Sequence, residues 1–441
     1  MNLKIINCIV LILLGGFTSA QTNLSANEAV FKALENNYQV QVVELQQEIA
    51  EKNNKWSEAG LFPTVTLAVA QNNTIQDNTN NPFTFTPGII LSQSINPSLS
   101  ANWNLFSGFA VKISKQRLEQ LEQQSANNAL SVIETTIQDV LKAYYTAQLQ
   151  QDRLNLFKAI QESSFGKMQY FELKEKYSSS TTLELLQFKN QYLTDSINCL
   201  MQKISLENAQ RNLKMMMNDT TEAIYSLSDP LTIAIKEFNV EDAESQMFAS
   251  NSNLRNQYIG LELQQSATSL QRSFLYPTLS FQAGVNPGWS KIREIKDGNV
   301  NISTTNLSYY GNFNLRYTLF NNWKNQRAVE VSKIQETIAS TRIDEMKQTL
   351  QNTLTNLIAL YHARTTLVSI SQENISYAKK AMELAEKKFN QGTINSIEYA
   401  SFVNSYQNSM ISYQENLFNK LDTYLEIYKM TGKLGLEYTK N

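Results

Sequence analysis

"WSEAGLFPTVTLAVA", residues 56–70, carries two different periodicities on either side of one proline. Up to Gly60 the chain is charged and helix-like. After Pro63, Val65, Leu67 and Val69 share one face of an extended segment, with Thr64, Thr66, Ala68 and Ala70 on the other. Proline lacks the N–H that a helix interior needs, suits the first residue of a strand, and biases the residue before it toward extended geometry. The stretch therefore predicts a helix-to-strand junction at Phe62-Pro63. "LQRSFLYPTLSFQAGV" at 270–285 repeats it, with Tyr276-Pro277 in the same place and Leu279, Phe281, Ala283 and Val285 alternating with Thr278, Ser280, Gln282 and Gly284.

Two further segments alternate in the same way. Leu99, Ala101, Trp103 and Leu105 oppose Ser98, Ser100, Asn102 and Asn104; Phe313, Leu315, Tyr317 and Leu319 oppose Asn312, Asn314, Arg316 and Thr318. Four strands of about ten residues, apolar on one side and polar on the other, are what a membrane barrel requires. A soluble sandwich alternates too, so the strands alone leave both readings open. Four strands cannot close a pore, and an Arg and several Asn on the polar faces need water, so a barrel would be shared among subunits. The Asn-, Thr-, Pro- and Gly-containing stretches 71–97 and 286–310 are expected as extracellular loops, with Asp297-Gly298 a hairpin turn.

Elsewhere the chain reads as helix. Only seven prolines occur, and the tracts 109–229 and 288–441 contain none. From Phe109 to Tyr177 apolar residues such as Leu118, Leu121, Ile133, Ile137, Val140 and Tyr144 recur at spacings of three, four and seven. Such a helix, or two stacked end to end, reaches about 100 Å. "YSSSTT" (177–182) predicts a turn and a return helix to about Met217, an antiparallel hairpin. The plan recurs as Arg327–Phe389, "NQGTIN" (390–395) and Ser396 to about Met430. Thr181 with Glu184, and Asn395 with Glu398, have capping-box spacing.

These parts form a tandem duplication at an offset of 214 residues. Leu61-Phe62-Pro63-Thr64 maps onto Leu275-Tyr276-Pro277-Thr278, Leu105-Phe106 onto Leu319-Phe320, Trp103 onto Tyr317, and Glu184, Asn190 and Tyr192 onto Glu398, Asn404 and Tyr406. The first hairpin turn reads as about two residues shorter than the second, and the short helices before each proline have no clear register. The expected organisation is a signal peptide over 1–20, a first repeat over 21–229 and a second over 230–441. "MNLKIINCIVLILLGGFTSA" supplies Lys4, an apolar run too short to span a bilayer as a mature helix, and Thr18-Ser19-Ala20 as a cleavage site. Cys8 lies too early, and in the wrong company, for an acylated lipoprotein cysteine. Cys199 is then the only mature cysteine, so no intrachain disulfide forms.

The order of these parts resembles the TolC family of outer-membrane efflux proteins over nearly the whole mature length. The carriers are the duplicated "LFP" and "LYP", "LFSG" and "LFNN", the long hairpins, and "KKFNQGTINSIEYAS" at 387–401. The resemblance implies a mainly α fold with a small β portion and four transmembrane strands per protomer. It implies a homotrimer whose twelve strands form one outer-membrane barrel and whose helices form a periplasmic tunnel. It further implies docking to a periplasmic adaptor protein and an inner-membrane pump, proton-driven or ABC, without a cofactor. The family's tip pattern puts Glu398 at the first acidic position of the pore entrance, with Glu184 its repeat mate; the second position falls on Ser401, a departure. Gly392, Thr393 and Ile394, with Ser179, Ser180 and Thr181, become the adaptor-docking tips. Pro63 and Pro277 become helix-to-strand junctions, and Phe62, Trp103, Tyr276, Trp289, Tyr317 and Phe320 interfacial aromatics against outer-membrane lipid.

Other functions find little support. A formal charge of -2 gives no basic field for nucleic acid. The single histidine, His362, and the single mature cysteine cannot supply a soft-metal cluster or a Cys/His pair, and no GxSxG, Walker A or dinucleotide fingerprint occurs. The expectation is an exit duct for small toxic molecules. The alternatives are the same channel serving type I protein secretion, and, from another class, an exported coiled-coil structural protein or adhesin.

Overall fold

The computed structural model describes residues 22–84, 87–177, 182–221, 225–232, 236–295 and 300–438. In chain order its elements are β1 (Thr22–Leu24), α1 (Ala26–Asn36), α2 (Tyr38–Asn53), β2 (Thr64–Asp77), β3 (Ile89–Ser107), α3 (Ala110–Lys176), α4 (Thr182–Met216), β4 (Tyr225–Leu227), α5 (Val240–Ser250), α6 (Ser252–Ser273), β5 (Thr278–Glu294), β6 (Asn301–Arg316), α7 (Lys324–Asn390), α8 (Ser396–Met430) and α9 (Lys433–Tyr438). The chain is mainly helical with a small strand portion, and α3 is one continuous helix. Contacts divide it into two units, residues 1–45, 127–255 and 345–441, and residues 46–126 and 256–344.

The offset of 214 holds residue for residue in three pairs of helices. α3 and α7 each have 67 residues, α4 and α8 each 35, α1 and α5 each 11, and every start and end differs by that offset. The two hairpin turns are therefore equal in length, correcting the shorter first turn expected from the sequence. Serines in one turn and "QGTIN" in the other hide an alignment that the flanking helices fix. The short helices are in register too. Ser25 caps α1 and its mate Asn239 caps α5, each accepting from a backbone N–H, and Asn37 and Asn251 end them.

The core of the first unit repeats on the same scheme. α1 packs Ala29, Val30 and Ala33 with Val140 and Tyr144 of α3 and Leu213 of α4. α5 packs Ala243 and Met247 with Leu354, Ile358 and Tyr361 of α7 and Ile427 of α8. Tyr144, fully buried, donates its hydroxyl to the Leu24 carbonyl at 2.8 Å and accepts from Asp229 N at 3.0 Å, which holds the parallel β1–β4 pair in place.

The second unit contains one antiparallel sheet, order β2-β3-β5-β6. Its strands run 14, 19, 17 and 16 residues, longer than expected, so most of 71–97 and 286–310 is strand and not loop. Pro97 and Pro287 made strand ends look necessary, because a central strand needs its N–H groups. Ile95 opposite Trp289 and Leu99 opposite Val285 put the two prolines across from each other, and β3–β5 pairing lapses around them at residues 96–98. Two residues without an N–H thus share one gap. β6 stops at Arg316, so Tyr317 and Leu319 lie beyond it, and a bulge between Asn104 and Phe106 takes Leu105 out of the ladder. Asp297-Gly298 lies outside the described residues.

Each strand pair turns back into a helix through two consecutive left-handed residues, Gly108-Phe109 (φ 62° and 70°) and its mate Asn322-Trp323 (φ 55° and 58°). The halves differ in room. A Cβ on Gly108 would meet the Ser273 carbonyl oxygen at 2.3 Å and Tyr276 Cβ at 2.9 Å. Gly108→Ala should therefore cost about 2–4 kcal/mol through left-handed strain and overpacking, whereas Asn322→Gly should stay within about 1 kcal/mol. Unfolding midpoints of the two variants in detergent, followed by circular dichroism, check this; equal midpoints would contradict it.

Candidate functional site

The sheet sorts its side chains onto two faces. One carries Val65, Leu67 and Val69 of β2, Pro97, Leu99 and Trp103 of β3, Phe281, Val285 and Trp289 of β5, and Leu307, Tyr309, Phe313 and Leu315 of β6. The other carries Thr66, Ser98, Ser100, Asn102, Gln282, Asn312 and Asn314. Nothing covers the apolar face: Leu67 and Leu315 are each 72% exposed and Tyr309 76%. Charge is absent from it over the rows from Trp103 to Ile95, about 27 Å along the strand, the scale of the apolar belt on membrane barrels. The charged residues of the four strands are Asp77, Lys291, Arg293, Glu294 and Arg316, all beyond those rows or on the polar face. Both edges, β2 and β6, have a single neighbour. Among the described residues no helix is long and apolar enough to cross a membrane.

Pro63 and Pro277 immediately precede β2 and β5. Around them the structure gathers aromatics: Tyr276 meets Phe109 edge-on at 5.8 Å, Phe109 meets Phe106 at 5.3 Å, and Phe320 meets Trp323 at 6.1 Å. Trp103 donates its indole N–H to the Leu61 carbonyl at 2.8 Å. Phe62 and Tyr317 are exposed at the same end of the sheet. Trp289 is elsewhere, within β5 at the far edge of the apolar rows and opposite Ile95 and Thr305. Sequence reasoning missed Phe109 and Trp323, which the offset of 214 would have paired, and the tilted cross-strand ring pair Phe281–Phe313 at 4.7 Å.

The second candidate region is the turn between α7 and α8. Gly392 (φ 73°) closes α7 in the left-handed geometry that favours glycine, and Thr393 N and Oγ1 both donate to the Lys388 carbonyl at 2.9 Å. Asn395 Oδ1 accepts from Glu398 N at 2.8 Å while Glu398 Oε2 accepts from Asn395 N at 3.4 Å, a complete capping box. Glu398 is exposed, beside a groove of about 560 Å³ lined by Leu384, Ala385, Lys388, Ile394 and Phe402. Ser401 opens onto a polar groove of about 680 Å³ with Asn404, Ser405, Asn408 and Ser412, free of charged side chains. Glu184 lies in the first turn of α4. Ser179, Ser180 and Thr181, and with Thr181 the first predicted capping box, lie outside the described residues. His362 is exposed on α7.

Near this turn the two hairpins are held together. Lys167 of α3 pairs with Glu386 of α7 at 3.0 Å and lies 4.4 Å over the Tyr399 ring of α8. Phe171 stacks on Phe188 at 4.6 Å and Phe389 on Tyr399 at 5.2 Å, and Ser396 Oγ donates to Gln187 Oε1. Behind them a small cavity of about 30 Å³, lined by Ser163, Ser164, Gln191, Asp195 and Tyr399, has room for about one water. Burial pushes the Asp195 carboxyl up, against opposing hydrogen bonds from Ser164 and Gln191.

The outer membrane efflux protein family model matches residues 29–219 and 244–433, most of the chain in two copies. The chain belongs to the outer membrane efflux protein family. No individual curated protein matches the sequence at a significant level. Solved structures share the fold. CusC, whose structures concern transmembrane channel formation, superposes with a TM-score of 0.73 at 13% identity, covering 95% of this chain and 94% of that one. The Campylobacter jejuni CmeC outer membrane channel gives 0.74 at 16% identity over 92% and 85%. The Neisseria gonorrhoeae MtrE outer membrane channel, in its open state, gives 0.71 at 15% over 93% and 89%. The family and these neighbours are channels, not enzymes.

Folding raises the affinity of Asp195 for its proton, so its ionised form opposes folding. That penalty is full above the raised folded-state pKa and vanishes below the ordinary carboxylate value. Asp195→Asn should therefore raise the thermal midpoint at neutral pH, and the gain should shrink as pH falls through the acid range. Midpoints of both proteins measured from neutral pH into mild acid test it; a gain independent of pH would refute the assignment.

Proposed function

We propose that three copies of this chain assemble into an outer-membrane exit duct for small toxic molecules. The observation that carries this is the uncharged, uncovered apolar face of a sheet whose two edges are free to pair. Four strands are too few to close, and a closed barrel is the one sheet structure that leaves no backbone group unsatisfied in lipid. Three sheets make twelve strands, β6 of one copy pairing with β2 of the next, an even number as in bacterial barrels. Thr66, Ser100, Asn102, Gln282 and Asn312 then line the lumen. Uncharged hydroxyls and amides bind little tightly, which suits a conduit for varied solutes.

The first unit, in this reading, supplies the periplasmic conduit. Exposed apolar residues at heptad spacing on α4, Leu186, Leu193, Ile197, Leu200 and Ile204, are the seam for a neighbouring copy's helix. Glu398, six residues after Gly392, is the acidic ring at the entrance, and the groove beside Ile394 and Phe402 is the dock for a periplasmic adaptor that couples to an inner-membrane pump. Residues 1–20 are the export signal, and 21–229 and 230–441 the two structural repeats.

Extracted outer membranes should give a heat-sensitive trimer. Fluorophores on Leu67→Cys and Leu315→Cys, in a Cys199→Ser background, should be quenched by lipids brominated on their acyl chains, while a label on Thr66→Cys should not. A detergent-free monomer, or equal quenching at all three positions, would sink the proposal. The entrance is tested separately. Glu398→Ala should lower cation preference in planar bilayers, and unchanged selectivity would remove Glu398 from the gate.

A further inference from the structure

The row next beyond the apolar face has a different chemistry. On β5, Lys291 follows Trp289 by two residues and Arg293 follows by two more, so all three share the lipid-side face, with Lys291 opposite Gln93 and Ser303. Lys291 and Arg293 are exposed and stand about 7 Å apart along the strand. Among the described residues they are the only cations on that face of the sheet. No carboxylate shares their rows: Glu294 points to the opposite face, buried against Gly88, and Asp77 lies two strands away and further out, held by the Thr79 N–H at 3.0 Å. A concavity of about 330 Å³, lined by Gln71, Gln93, Trp289, Lys291 and Ser303, opens at the same level.

The chain direction fixes which side of the membrane this is. β2 and β5 start at the helix junctions Pro63 and Pro277, and Asp77, Ile89, Glu294 and Asn301 lie at the other end. With the helices periplasmic, Trp289 lies at the outer-leaflet interface and the two cations at headgroup depth. We propose that Lys291 and Arg293 form a clamp for the phosphates of an outer-leaflet glycolipid, the phosphorylated glucosamine headgroup of lipopolysaccharide. A pair of neighbouring cations with no carboxylate in its rows fits a phosphate of such a headgroup. Arg293 offers a bidentate fork and Lys291 a point charge, Gln71, Gln93 and Ser303 offer hydrogen bonds to sugar hydroxyls, and Trp289 seats the first methylenes of the acyl chains. Trimeric symmetry would place three such clamps around the barrel.

This inference rests on the proposed orientation of the sheet, which the brominated-lipid experiment tests alone. The clamp is tested on the detergent-purified full-length protein with bis-phosphoryl lipid A and its fully dephosphorylated form, counted as bound adducts by native mass spectrometry. The bis-phosphoryl form should bind at least about tenfold more tightly. Lys291→Gln with Arg293→Gln should abolish that preference while leaving binding of the dephosphorylated lipid unchanged, and Lys291→Arg with Arg293→Lys should retain it. Equal binding of the two lipids by the unaltered protein, or a preference surviving the double Gln variant, would overturn the clamp. If quenching at Leu67 and Leu315 holds while the preference is absent, the clamp alone fails.

Discussion

A sheet with one bare apolar face is the constraint on which the rest depends. In water that face would collapse onto itself or a neighbour, since a few hundred square ångströms of contiguous apolar surface already mark a binding site. In lipid it is at home, but there each edge amide must find a partner. In the proposed duct both demands are met by completing the sheet with other copies and enclosing water with the polar face. The uncharged rows from Trp103 to Ile95, the cations just beyond them, and the hydroxyl and amide face opposite are all consequences of that requirement.

The helices obey a different rule. Long packed amphipathic helices tolerate insertions and deletions poorly, because an added residue rotates every later side chain by about 100° around the axis. Equal lengths for α3 and α7 and for α4 and α8, unchanged by divergence, are what that rule predicts. The turns and caps were free to vary, provided each supplied an oxygen to the first backbone N–H groups. Ser25 could become Asn239 because both side chains do so. Where two hairpins meet, near Gly392, an ion pair and a cluster of aromatic rings hold them, and the single buried carboxyl of Asp195 works against that hold at neutral pH.

Much of this was legible in the sequence, and the exceptions share a cause. Periodicity gave the hairpins, and their second return helix, Ser396–Met430, within a residue, because helices of that length average out local preferences. The prolines after Phe62 and Tyr276 placed the junctions. Strand lengths were missed because Pro97 and Pro287 signal breaks when read singly, and only the pairing register shows them facing each other. Phe109 and Trp323 were missed because a positive φ at an aromatic leaves no compositional mark. For Glu398 the sequence named the capping role that the hydrogen bonds show.

The bend at Gly108 and its mate at Asn322 has a consequence for how the two halves relate. Both bends follow one backbone path, yet only the first is pressed against a carbonyl, that of Ser273. A chain made from two copies of the second half would put an asparagine where no Cβ fits. A chain made from two copies of the first would have no such obstacle at this position. At this position the exchange is therefore one-way: the first half's glycine fits either bend, and the second half's asparagine fits only its own.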